Sequence, residues 1–79
     1  MNPPKLNDSV RLHLDAYFTD LGDTEPAMLY DMLMDAVERP LLEMVMARAD
    51  GNQSKAAAWL GLNRNTLRRK LLAHGMLDA

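Results

Sequence analysis

The 79-residue chain predicts an all-α fold of four helices, and three observations carry that reading. Apolar residues recur at spacings of three and four along most of the sequence, the period of helices that bury one stripe. Breaks around Gly22, Gly51 and Gly61 divide this pattern into segments of helical length. No alternation of apolar and polar residues competes as a strand, and there is no internal repeat or low-complexity tract.

Residues 1–7 contain two prolines and two asparagines without an apolar period and read as a mobile lead-in. A first helix is expected from Asp8, with Asp8 or Ser9 as its cap. Val10, Leu14, Tyr17, Phe18 and Leu21 form its stripe. The stretch from Gly22 to Pro26 supplies a stop and a restart, since glycine suits a helix end and proline tolerates the first turn of the next helix.

The second helix is expected from about Ala27 to Ala49, stopping at Asp50-Gly51, so residues 8–50 form a unit of two helices. Leu29, Leu33, Val37, Leu41, Leu42 and Val45, together with five methionines between Met28 and Met46, make it apolar around much of its circumference. A helix with two apolar faces in so short a chain needs a partner besides its own core, and self-association is the simplest source. The methionines read as core and dimer filler. Pro40 lacks an N–H and should kink this helix without ending it, because the apolar period runs on to Met46.

Residues 51–79 read as a helix-turn-helix in which Gln53 to Leu60 and Arg64 to Ala73 are joined at Gly61-Leu62-Asn63. Small Ala57 lets the two helices approach, and Leu60, Leu62 and Leu67 form their shared contact. On the last helix Leu67 and Leu71 face the core, Asn65, Thr66, Arg69 and Lys70 occupy the opposite arc, and Arg64 and Arg68 flank them. Trp59, on the first helix of the pair, is expected to pack locally.

Charge is divided the same way. Residues 1–47 hold three bases against nine acids, a net −6, whereas residues 48–79 hold six bases against two acids, a net +4. A basic module inside a chain of overall charge −2 points to a polyanion, because clustered Lys and Arg set the local potential whatever the total. The Arg64 guanidinium suits two parallel hydrogen bonds to guanine O6 and N7, and Asn63 suits an adjacent base edge. Arg68, Arg69 and Lys70 are long enough to reach phosphates.

Other classes find no support. Without cysteine there is neither a disulfide framework nor a thiolate nucleophile, which fits the cytoplasm. The apolar runs are far short of the roughly 20 residues of a membrane span, and the N-terminus lacks a signal-peptide core. Asp31, Asp35 and Glu38 read as a solvated acidic face and not a metal site. His13 and His74 stand far apart, and no phosphate loop or nucleophile elbow is present, so neither an enzyme nor a cofactor is expected.

The segments Glu38-Arg39-Pro40-Leu41-Leu42-Glu43-Met44-Val45-Met46, Gly51-Asn52-Gln53-Ser54-Lys55-Ala56-Ala57 and Asn63-Arg64-Asn65-Thr66-Leu67-Arg68-Arg69-Lys70-Leu71 closely resemble the Fis family of bacterial nucleoid-associated DNA-binding proteins and transcriptional regulators. The resemblance runs from about Lys5 to Met76. It implies an intertwined homodimer whose first two helices dimerise and whose last two bind double-stranded DNA in the nucleoid, with RNA polymerase as a further partner. It places base-edge contacts at Asn63, Arg64 and Arg69, and phosphate contacts at Asn52, Gln53, Ser54, Thr66, Arg68 and Lys70. In that family the recognition helices lie closer together than one duplex turn, so the DNA bends and flexible AT-rich centres are favoured. Leu72 and Ala73 stand where the family can carry bases, and Asn65 where it can carry glycine, which implies weaker contact with flanking phosphates. No counterpart of the family's N-terminal recombinase-contacting arm is expected, as the match begins near Met1.

Two alternatives belong beside this reading. One is a stand-alone relative of the DNA-binding tail of nitrogen-regulator-type activators; the other is a helical protein-interaction module whose basic hairpin is incidental.

Overall fold

The computed structural model describes residues 2–77. Met1 of the expected lead-in, and Asp78 and Ala79 of the hairpin module, lie outside the described residues. Among the described residues there are four helices: α1 Leu6–Leu21, α2 Leu29–Arg48, α3 Gln53–Leu60 and α4 Arg64–Ala73.

Helix α1 begins two residues before the expected Asp8, and neither Asp8 nor Ser9 caps it. Its N-cap is the extended Lys5, which makes no side-chain cap bond. Pro3 and Pro4 end just before that residue, so the chain turns helical as soon as proline geometry allows. Asp8 instead falls in the first turn, where its charge meets the positive end of the helix and Arg11 stands 3.5 Å away. Helix α2, by contrast, starts later than expected, after a left-handed Met28 with φ +55°, and leaves Pro26 outside the helix. It continues through Pro40 for 20 residues, about 30 Å at helical rise.

The basic hairpin follows the sequence closely because its ends carry strong local signals. Asn52 Oδ1 accepts the Lys55 N–H at 3.0 Å and opens α3, and Asn63 Oδ1 accepts the Asn65 N–H at 2.7 Å and opens α4. Between them Gly61, at φ +72°, lets its own N–H reach the Ala58 carbonyl and the Leu62 N–H reach that of Ala57. That pair of bonds is a Schellman closure, and its left-handed residue explains glycine at the turn.

The core joins only part of the molecule. Leu42 and Ala49 at the end of α2 and its exit, Ala56 and Ala57 of α3, and Leu67 and Leu71 of α4 are buried together, with Val45, Met46, Leu60 and Met76 packed around them. Helix α1 contributes no buried residue. The chain accordingly has a radius of gyration of 15.4 Å, against about 12 Å for a compact domain of this length. Its accessible surface is 6391 Å², where a compact chain of this mass exposes about 4,800 Å².

Candidate nucleic-acid interface

Helix α4 presents a polar face because its apolar residues stand four apart. Leu67 and Leu71 are buried against α2 and α3, while Asn65, Arg68 and Arg69 project to solvent with Asn63 and Arg64 at the helix start. The exposed face thus carries four predicted contact residues: Asn63, Arg64, Arg68 and Arg69. Asn63 also caps α4, which uses its carbonyl oxygen and leaves the amide N–H groups to donate. Arg69 Nη2 leans towards the Thr66 hydroxyl at 3.5 Å, and Thr66 is half-buried.

A second group forms at the start of α3. Asn52 and Ser54 are exposed and Gln53 is half-buried, at a helix end whose first backbone N–H groups point outward with the positive end of the dipole. Lys55 lies in the same turn and is exposed, yet the sequence reading assigned it nothing. Its signal was its position, as a cation one turn before Trp59. Its ammonium sits 5.3 Å from the centre of the Trp59 ring, a cation–π contact. Trp59 packs locally as expected, against the Lys55 side chain of its own helix, and remains 54% exposed. The buried face of α3 is formed by Ala56 and Ala57.

Lys70 departs from the arc on which the sequence put it. It lies at the edge of α4 that faces α2, where its ammonium donates to Glu38 Oε2 at 2.8 Å. The other carboxylate oxygen of Glu38 lies 2.9 Å from His74 Nε2. A carboxylate only accepts, so Nε2 of His74 is the donor in this contact. Beside them Arg39 Nη2 donates to the His74 carbonyl at 3.0 Å. His74 is buried, and Lys70 and Glu38 are each about two-thirds covered along their side chains.

Glu38 is therefore not part of a solvated acidic face, as the sequence suggested, but the centre of a polar joint between α2 and α4. The hydrogen bond from Lys70, and after it that from His74, hold its carboxyl below the usual glutamate range, against the opposing effect of partial burial. Asp35, Arg39, Thr66, Arg69 and Ala73 complete an open cleft of about 550 Å³ around this joint. Among the described residues no group of histidines and carboxylates is arranged to hold a metal ion, and no helix is long and apolar enough to cross a membrane.

Residues 33–74, which hold most of α2, the polar joint and the whole hairpin, match the model of the bacterial regulatory protein family Fis. The chain belongs to the Fis family. It is 54% identical over 74 residues to a Fis-like DNA-binding protein of Neisseria meningitidis serogroup A, covering 94% of each chain. A Fis-like DNA-binding protein of Ralstonia nicotianae is 56% identical over 68 residues, which is 86% of this chain and 88% of that one. DNA-binding protein Fis of Mannheimia haemolytica is 43% identical over 76 residues, which is 96% of this chain and 76% of the longer relative. The all-helical architecture and the helix-turn-helix agree with this membership.

Proposed function

We propose that this Fis-family chain is a homodimeric regulator that binds and bends double-stranded DNA, shaping the bacterial nucleoid and the activity of promoters. The observation that carries this reading is the exposed row Asn63, Arg64, Arg68 and Arg69, held outward by the buried pair Leu67 and Leu71. In the major groove Arg64 makes a bidentate contact to guanine while Asn63 and Arg69 meet neighbouring base edges. Asn52, Gln53, Ser54, Thr66 and Arg68 hold the phosphates on either side, and Lys55 joins them. Lys70 reaches a phosphate with the N–H groups that Glu38 does not use.

Dimerisation is supported by what the single chain leaves open. An apolar groove of about 620 Å³ runs between α1 and the first half of α2, lined by Val10, Leu14, Tyr17, Leu33, Val37 and Leu41 among others. The accessible surface exceeds that of a compact chain by roughly 1,600 Å², an amount in the range that a permanent dimer interface covers. A second copy that intertwines its α1 and α2 with these closes the groove. Two hairpins then approach one face of the duplex, and DNA bends to meet both where its sequence makes compression of the minor groove easy. The role calls for no cofactor and no reaction; it is exercised in the cytoplasm at the nucleoid, with RNA polymerase as a partner at promoters.

Energy transfer between dyes at the two ends of a short duplex tests this reading. Transfer should rise on saturation, at two chains per duplex. Unchanged transfer at saturation contradicts bending, and saturation at one chain contradicts the dimer.

A further inference from the structure

Helix α4 is attached to α2 in two different ways. Leu42 of α2 shares the core with Leu67 and Leu71, and apolar contact of this kind favours a range of crossing angles with about 15–20° of scatter and does not set one. The joint at Glu38 is directional: one carboxylate grips Lys70 of α4 through one oxygen and His74, the residue that caps the end of α4, through the other, while Arg39 of the same α2 turn holds the His74 carbonyl. Three bonds from two consecutive residues of α2 thus clamp the last turn of α4.

We propose that Glu38 is a positioning residue for DNA selection, which by clamping Lys70 and His74 sets the angle of α4 on α2 and hence the distance between the two basic faces of the dimer. The proposal rests on the homodimeric DNA-bending reading given above. The geometry makes the distance sensitive. From the clamp to Asn63 is about 15 Å of helix, so a tilt of about 10° at the clamp moves the Arg64 end by roughly 2–3 Å, a shift doubled across the dimer. One base-pair step is about 3.4 Å. A loosened clamp therefore lets the protein fit DNA of varied groove width, and it loses discrimination between easily bent and stiff centres while each hairpin keeps its contacts.

The test compares two duplexes with identical guanine-bearing flanks and either an AT-rich or a GC-rich centre, bound by wild-type protein, Glu38→Ala, His74→Leu and His74→Gln. Circular dichroism and sedimentation establish that each variant is folded and dimeric. The wild type should prefer the AT-rich centre; Glu38→Ala and His74→Leu should reduce that preference several-fold, and His74→Gln, which retains a donor, should largely restore it. Should Glu38→Ala prove unfolded, Glu38→Gln, which keeps the volume and one acceptor but not the charge, carries the same comparison. Undiminished preference in the folded Glu38 and His74→Leu variants overturns the proposal alone. Equal affinity of the wild type for both centres overturns the DNA-bending reading and the proposal with it.

Discussion

The ammonium of Lys70 lies 2.8 Å from Glu38 Oε2, so a cation of the basic helix α4 is anchored to an acid of α2. One side chain thereby serves both the fold and the proposed DNA contact. Lys70→Ala should weaken binding by a similar factor to duplexes that share one centre and differ in their flanks, because a phosphate contact carries no base information, while the loosened clamp narrows the preference between AT-rich and GC-rich centres. It should also lower stability by about 1 kcal/mol, the upper range for a partly exposed ion pair, which in a chain of this size shifts the midpoint by about 4–8 °C. Affinity on two duplexes with one centre and different flanks, beside a thermal melt, separates the phosphate contact from the stability effect.

The joint also makes stability depend on pH in a defined direction. The Glu38 carboxyl titrates below its unfolded value, chiefly because of the Lys70 hydrogen bond. Its stabilising contribution is therefore fully present above the unfolded glutamate pKa of about 4.3, and is lost as pH falls through the lower folded value. Urea melts of wild type and Glu38→Gln should differ at neutral pH and converge in acid. A difference that persists unchanged below the glutamate range would show that Glu38 acts through its shape and not its charge.

Val37 lines the groove between α1 and α2 and is only half-buried in one chain. Val37→Glu should place a charge in the dimer interface, leave a monomer at micromolar concentration by sedimentation, and abolish tight DNA binding. A dimer that tolerates this change would mean that the second copy docks elsewhere.

Arg64 stands exposed at the start of α4, and the proposed docking in the major groove gives it a guanine edge. Arg64→Ala should cost about 1–3 kcal/mol at a guanine-flanked site and much less where that guanine is replaced. Fluorescence anisotropy on the two sites measures the difference. Equal losses at both would place Arg64 on the phosphates.

The hairpin was legible in the sequence because its signals are local. Asn52 and Asn63 cap α3 and α4, Gly61 takes the left-handed turn between them, and the structure begins and ends both helices where the sequence places them. The start of α1 was misread because Asp8 resembles a cap but falls in the first turn behind the prolines. The start of α2 was misread because the break extends through Pro26 to a left-handed Met28. Trp59 stays half-exposed because its helix buries alanines and not its largest residue. The joint at Glu38 was invisible for a different reason: Lys70 and His74 lie 32 and 36 residues away, and no periodicity within one helix reports a partner on another. Lys70 could be seen as a cation on a basic helix, but its place at the α2 edge depends on how the two helices cross.

The most direct test is the salt dependence of binding to an AT-centred, guanine-flanked duplex, followed by anisotropy beside a scrambled GC-rich duplex. If two basic hairpins engage phosphates through Lys55, Arg68 and Lys70, six contacts in all, the logarithm of the affinity should fall with the logarithm of salt concentration with a slope of about −5. The first duplex should stay the tighter ligand throughout. Absence of binding to either duplex, or affinity indifferent to salt, would contradict a DNA-binding function and leave the helical surfaces to a protein partner.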